Sequence, residues 1–450
     1  MEFRCFIAPN STKNERRPAI LAAHLKRANL YPMETEILIE NMARDAKNAS
    51  IALRTLSSAT KNEALEAMAR AISDFKTEIF AANARDLQKA RDKGLQGALL
   101  DRMTLSDKKI AAMADGCRQV ASLPDPIGRV LSGEIRPNGL KIEKVSVPLG
   151  VVAVIYESRP NVTVDAAILT LKSGNAVILR GGSEAIETNV ALAQIIQKAA
   201  SENGIPDHAI QIVASTDRAA STYLAQQSQS IDLIVPRGGE GLKKSLAKVA
   251  TVPIIFAAGG VCHVYVDEFA ELEMALNIVF NAKTQGPSAC NAAETLLVHR
   301  AIAGEFLPLV SQKMKEFGVE LRGDADSRKI VPEMIEASED DWGAEYLSLI
   351  LAIKIVEDLD DAVAHISRHG TSHSEAIVTQ NVRRAEDFLA KVDAAAVYVN
   401  ASTRFTDGFE FGLGAEVGIS TQKLHCRGPM GLEALTSTKY VVRGDGQLRG

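Results

Sequence analysis

The sequence lacks paired cysteines: Cys5, Cys117, Cys262, Cys290 and Cys426 are an odd set, widely separated, with no CxxC among them. That spacing suits neither a disulfide framework nor a zinc knuckle, so a reducing, cytoplasmic compartment is expected. It also lacks any window near the roughly 20 apolar residues of a membrane-spanning helix, because Lys, Arg, Asp, Glu or Gly breaks each apolar run. Charge of one sign is not gathered anywhere beyond the first 32 residues. The 51 basic and 56 acidic residues are interspersed, for a net charge of −5, which excludes the footprint of a nucleic-acid binder. Internal repeats and low-complexity tracts are missing too. What remains is small-molecule chemistry, on a chain of 450 residues, 46% of them hydrophobic, long enough for two or more cores.

Residues 1–32 differ from the rest, with Arg4, Lys13, Arg16, Arg17, Lys26 and Arg27 set against Glu2 and Glu15. A transit peptide, an upstream start before Met33 and a disordered tail all fit this composition, and an N-terminal extension without order is expected. From Met33 to about Gly116 the apolar spacing of three and four, as in EALEAMARAISDFKTEIFAANARDLQKA, predicts amphipathic helices. Gly133 to Val147, with its Pro137-Asn138-Gly139 turn, predicts a β-hairpin arm. Next, VVAVIYES, AVILRG, IQIVAS, IDLIVP and VPIIFAAG alternate with helical segments, the pattern of a parallel sheet covered on both faces. A second such series runs from CHVYVD through ETLLVH, IKIVED and EAIVTQ to AVYVN, and TKYVVRG closes the chain as an edge strand. The expected class is α/β, with two parallel-sheet domains facing a cleft. A cofactor domain spans 33–129 and 147–258, a catalytic domain 259–432, and a small β oligomerisation arm 130–146 and 433–450.

Four segments are candidates for chemistry. Cys290, in FNAKTQGPSACNAAETLLVHR, follows a Gly-Pro-Ser loop and has small neighbours, so a substrate can reach its sulfur; the alternative is a buried, inert thiol. Asn161, after the strand VVAVIYES, is placed to donate to an oxyanion or simply to cap the next helix. Arg180-Gly181-Gly182-Ser183 and Arg237-Gly238-Gly239 each join a strand to a helix through glycines beside a cation, which suits cofactor ribose or phosphate, although neither is a GxGxxG fingerprint. His365, His369 and His373 raise the question of a metal, but Gly370 ends their helix and histidines suit a helix's negative end, so no metal is expected.

Taken together, VPLGVVAVIYESRPNVTVDAAILTLKSGNAVILRGG, DLIVPRGG, NAKTQGPSACNAAETLLV, HGTSHSEAIVT and VYVNASTRFTDGFEFGLGAEVGISTQKLHCRGPMGLEAL closely resemble the gamma-glutamyl phosphate reductases, a branch of the aldehyde dehydrogenase superfamily. The match runs from about Met42 to Gly450. It departs from the usual pattern at Gly286, commonly a bulkier or basic residue, and at Cys426, commonly alanine.

The resemblance implies an aldehyde dehydrogenase-like fold with Cys290 as nucleophile, and an oxyanion held by Asn161 with the Cys290 N–H. It implies Arg180, Gly181, Gly182 and Ser183 at the adenosine end of NADPH and Arg237, Gly238 and Gly239 near its pyrophosphate or nicotinamide. Arg404 and Arg427, with Asn400 and Ser402 behind them, are the expected partners of an acidic substrate. The implied reaction reduces gamma-glutamyl phosphate to glutamate 5-semialdehyde within proline synthesis, in a homodimer or homotetramer fed by a glutamate kinase. Hydrolysing aldehyde dehydrogenases carry a glutamate in Glu-Leu-Gly-Gly, where this chain reads Ala257-Ala258-Gly259-Gly260. A hydrolysing dehydrogenase, or a nucleotide-binding thiol sensor without turnover, is the competing reading.

Overall fold

The computed structural model describes residues 17–157 and 159–449. Residues 1–16 of the extension lie outside it, and α1 runs Arg17–Leu53. The helical front of the chain continues with α2 (Ser58–Asp74), α3 (Lys76–Asp92), α4 (Ala98–Met103) and α5 (Asp107–Ser122). Serines at the entry of α2 and α5 accept from Thr60 and Lys109 backbone N–H groups, satisfying donors that the first helical turn leaves open.

The region expected to form the cofactor domain is built from β3 (Val151–Tyr156), α6 (Asn161–Lys172), β4 (Ala176–Arg180), α7 (Ile186–Ser201), β5 (Ile210–Ile212), α8 (Ala219–Ala225), β6 (Leu233–Arg237) and α9 (Glu240–Val249), once the hairpin β1 (Val130–Ile135) and β2 (Lys141–Pro148) has been passed. Its sheet has the order β5-β4-β3-β6, all parallel. Every residue of β3 is buried, as a central strand covered on both faces requires. The chain leaves β3 in one direction to β4 and β5 and crosses back to β6 on its other side, which opens a crevice beyond the carboxyl ends of β3 and β6.

The region expected to form the catalytic domain comprises β7 (Cys262–Val266), α10 (Leu272–Thr284), β8 (Ala293–His299), α11 (Arg300–Glu316), β9 (Glu320–Gly323), α12 (Ala325–Ile330), β10 (Ile335–Glu336), β11 (Ile350–Val356), α13 (Leu359–His369), β12 (Ser374–Val378), α14 (Val382–Lys391) and β13 (Ala396–Val399). These strands form a parallel sheet of seven in the order β10-β9-β11-β8-β7-β12-β13. Separate hydrophobic cores fill its two faces, one around Phe306 and Leu296, the other around Phe388 and Tyr265.

The short pair β14 (Ile419–Ser420) and β15 (Gly428–Pro429) precedes β16 (Thr436–Arg443). Val417, Met430 and Leu432 pack into the core of the cofactor domain, so the chain returns there before reaching the arm. Antiparallel pairing joins β1, β2 and β16 into the arm, turned at Gly139 with φ +87°, a left-handed conformation that glycine adopts at no steric cost. Val130, Leu131, Ile135, Tyr440 and Val442 are exposed on it.

Candidate active site

A cavity of about 550 Å³ lies between the two domains, lined from the cofactor side by Glu157, Arg159, Arg237, Gly238, Gly239 and Lys243, and from the catalytic side by Ser288 to Asn291, Arg404 and Thr406. Glu157 and Arg159 follow β3 and Arg237 ends β6, so the crevice set by the strand order supplies one wall.

Cys290 sits in the loop between α10 and β8, which closes on itself through Ala289 N–H to Gly286 C=O and Ala292 N–H to Ala289 C=O, both 3.0 Å. Hydrogen bonds from outside the loop fix it. Asn291 Nδ2 donates to the carbonyls of Arg404 (3.2 Å) and Thr406 (2.8 Å), and Thr403 Oγ1 donates to Asn291 C=O at 2.7 Å. Cys262 Sγ donates to the Cys290 carbonyl at 3.2 Å. At Gly260 a Cβ would stand 1.5 Å from that carbonyl oxygen, so only glycine fits behind the nucleophile. Gly286, where the resemblance led us to expect a larger side chain, leaves room for the Arg404 guanidinium: a Cβ there would lie 2.9 Å from Nη2.

The electrostatics differ from a simple low-pKa thiol. Burial pushes Cys290 up to about 11; Arg237 and Arg159 pull it down, while Glu416 and Glu345 push it further up. Arg159 and Arg404 are themselves lowered, chiefly by burial, and both feel the Cys290 charge. A thiolate is therefore favoured by the arginines and disfavoured by the dry, partly acidic surroundings.

The other expected residues are not all brought together. Asn161 begins α6, is exposed, and donates through Nδ2 to Asp165 at 2.9 Å; it does not line the cavity. Asn400 exchanges two 2.9 Å hydrogen bonds with the Thr379 backbone, and Ser402 caps the turn 403–405. Arg427 is held by Asp393, at 2.6 Å to its carboxylate and 3.0 Å to its carbonyl. Of the four substrate candidates only Arg404 reaches the cavity, where Nε donates to Gln285 at 2.7 Å. Arg102, Glu157, Arg159, Glu345, Asp407 and Glu416 also line it and were not anticipated. Ala257 and Ala258 do line it, so methyl groups stand where a hydrolysing enzyme's glutamate was sought.

The residues also fit a nicotinamide dinucleotide. Glu157 Oε2 accepts from Gly239 N–H at 3.2 Å, so the entry to α9 already holds an anion, as a pyrophosphate site would. Around the Arg180–Ser183 turn, Arg180 Nε is buried without a partner, and Arg218 is close enough for its charge to lower Arg180 further after burial. Gly181 admits the Asn189 amide, which a Cβ would meet at 2.1 Å. Among the described residues no group of three or more His, Cys, Asp or Glu is arranged to hold a metal. The His365 and His369 rings lie 4.6 Å apart, tilted by 38°, and His373 Nδ1 pairs with Ser374 Oγ at 2.8 Å.

Two parallel-sheet domains closing on a loop-borne thiol are the arrangement of an aldehyde dehydrogenase, and the aldehyde dehydrogenase family model matches residues 11–341. The chain is 55% identical over 417 residues to gamma-glutamyl phosphate reductase of Moorella thermoacetica, covering 93% of this chain and 100% of the relative. The enzyme of the same name from Carboxydothermus hydrogenoformans is 54% identical, with 91% and 99% covered. Among solved structures, gamma-glutamyl phosphate reductase of Thermotoga maritima superposes with a TM-score of 0.89 at 46% identity, covering 92% of this chain and all of that one. An acetylating aldehyde dehydrogenase from Geobacillus thermoglucosidasius, 18% identical with a TM-score of 0.69 over 93% and 99% of the two chains, shares the fold. The chain belongs to the aldehyde dehydrogenase family, and within it to the gamma-glutamyl phosphate reductases.

Proposed function

We propose that this protein reduces gamma-glutamyl phosphate to glutamate 5-semialdehyde and phosphate through a thioester on Cys290, with NADPH as reductant. The observation that carries this reading is the cavity in which one thiol faces Arg159, Arg237 and Arg404 while alanines occupy the position of a water-activating carboxylate. An acyl phosphate brings its own leaving group. Cys290 sulfur attacks the carbonyl carbon, the carbon–oxygen bond to phosphate breaks, and the phosphate leaves with the bonding pair toward the arginines. The nicotinamide cofactor, when bound, supplies the hydride that takes the thioester to the aldehyde level. Collapse of the resulting thiohemiacetal returns the sulfur and frees the aldehyde.

Arg404, released from Gln285, is the partner proposed for the substrate's carboxylate or phosphate. An oxyanion role for Asn161 requires its amide to leave Asp165 and turn toward the cavity when substrate enters. Arg180 and Arg218 take the adenosine phosphate, which favours NADPH over NADH. The same reading puts the enzyme in proline synthesis in the cytosol, supplied by a glutamate kinase; the four described cysteines, all free, fit a reducing compartment.

The test runs the reaction backwards, following NADP+ reduction by glutamate 5-semialdehyde with and without inorganic phosphate. Turnover that requires phosphate is expected. Equal rates without it would mean that water resolves the thioester, and cofactor binding without any turnover would leave the sensor reading.

The arm presents free edges at β1 and β16 and an exposed apolar set, features that strand pairing with a second copy would cover. Sedimentation is expected to give two or four times the 48.3 kDa chain mass; a monomer at micromolar concentration would refute the proposal.

A further inference from the structure

Part of the cavity wall comes from outside both parallel sheets. Arg102, on α4 in the helical front of the chain, lines it together with Ser288, Ala289 and Cys290. The backbone on either side of Arg102 is fixed. Asn83 Nδ2 donates to Met103 C=O at 2.9 Å, Asn83 Oδ1 accepts from Leu105 N–H at 3.0 Å, and the fully buried Met103 side chain packs with Leu87, Ala90 and Ala185. The guanidinium itself is poorly satisfied. Its one hydrogen bond among the described residues runs from Nη2 to Ser288 C=O at 3.5 Å, long for such a bond, and Nε is buried with no acceptor. No carboxylate pairs with it among the described residues. A guanidinium carries five N–H donors, so one that is charged, half-buried and this short of acceptors lacks an anion, and the cavity it lines is where one can enter.

We propose that Arg102 binds the phosphate group of the substrate, a role that rests on the acyl-phosphate reading and deepens it. The substrate carries two anions. Its phosphate is bonded to the carbonyl that Cys290 attacks, whereas its carboxylate lies at the other end of the carbon chain. Ser288 belongs to the turn that Ala289 N–H closes on Gly286 C=O, immediately before Cys290, so a guanidinium seated on the Ser288 carbonyl is at the reacting end. Charge points the same way. Arg159, also in the cavity wall, feels the charge of Arg102 after burial and Arg237 have acted on it, so Arg102 stands in a group of cations. A phosphate, with three acceptor oxygens and up to two charges, takes more than one guanidinium; a carboxylate is matched by one, which leaves Arg404, beside Gln285, for the carboxylate.

This contact sets which activated acyl group the site accepts. An uncharged ester of the same acid brings no anion to Arg102, and the buried guanidinium then stays short of acceptors when that ester binds. In the reverse direction the same guanidinium holds inorganic phosphate against the thioester.

The reverse reaction tests this, because inorganic phosphate, glutamate 5-semialdehyde and NADP+ each have their own KM there. Arg102→Ala is expected to raise the KM for phosphate by about 10- to 100-fold and to leave the other two unchanged. Arg102→Lys, which keeps the charge but not the planar fork, recovers part of the phosphate affinity. Should Arg102→Ala not fold, Arg102→Gln, which keeps much of the stem and loses the charge, carries the same comparison. An unchanged phosphate KM overturns the proposal. So does a rise in the semialdehyde KM alone, which assigns Arg102 to the carboxylate, or in the NADP+ KM alone, which assigns it to the cofactor. A rise in all three with a lower thermal midpoint makes Arg102 structural and overturns it as well. Wild-type turnover that needs no phosphate refutes the acyl-phosphate reading and this role with it, whereas a phosphate-dependent wild type with an unchanged phosphate KM in the variants refutes the role of Arg102 alone.

Discussion

Cys290→Ala is expected to take phosphate-dependent NADP+ reduction down to background, a loss on the order of 10⁴-fold or more, with folding and cofactor binding intact. The substitution removes one sulfur atom and leaves untouched the backbone contacts that shape the loop: the Cys290 carbonyl still meets Cys262, and Asn291 still spans to Arg404 and Thr406. No other described thiol is placed to take over. Cys262 is fully buried and burial holds its thiol well above the ordinary range; Cys117 lies in the core of the cofactor domain, and burial raises Cys426 to about 11 outside the cavity. The variant should therefore keep wild-type thermal stability and NADP+ quenching of protein fluorescence while losing turnover. Retained turnover would end the thioester mechanism, whereas loss of stability together with activity would make Cys290 a structural residue and remove its loss as evidence about chemistry.

The fold was legible because its central strands are short apolar runs with no competing interpretation. VVAVIY and AETLLVH are buried at every position, and the Pro137-Asn138-Gly139 turn closes the hairpin where its residues said it would. The site was legible only where a residue shares a segment with a strand end or the nucleophile loop, as Arg237, Gly238, Gly239 and Cys290 do. Glu345 and Glu416 reach the cavity from irregular stretches far along the chain, and no periodicity marks a residue whose position is set by tertiary contact alone. The polar candidates that stayed out of the cavity have local or cross-chain partners nearer at hand. Asn161 and Asp165 stand four apart, the spacing at which helix side chains meet, so the pair was visible in NVTVD. Arg427 met Asp393, 34 positions earlier, a pairing that only the folded chain could decide. His373 lies behind the nucleophile, joined through Ser374 and Thr406 to Tyr398, a linkage that no sequence spacing marks.

The largest stability effect is expected at Lys283, the last-turn lysine of α10. Its ammonium lies 2.5 Å from Glu294 Oε2 and 3.0 Å from Ala293 C=O, with both side chains of the ion pair essentially sealed from solvent. Glu294 in turn accepts from Leu347 N–H at 3.2 Å, so the pair ties α10, the start of β8 and the Leu347 loop of the cavity wall together. Lys283→Met leaves the methylene stem's volume filled but strands a buried carboxylate, a change that costs about 3–5 kcal/mol when one partner of a sealed pair is removed. Replacing both partners, Lys283→Met with Glu294→Leu, should restore most of that loss, because no uncompensated charge remains. The pH dependence has a definite sign. Burial raises Glu294 from its ordinary 4.5 to about 7 even beside Lys283, so its contribution to stability is fully present below 4.5 and is lost as the pH rises through its folded value. Removing the ammonium raises that value further, and the deficit of Lys283→Met against wild type must then grow from pH 5 to pH 8. Thermal unfolding of wild type, single and double variants across that range checks all three statements. A deficit that is constant with pH would show that the lost packing of Lys283, and not the stranded charge on Glu294, sets the cost.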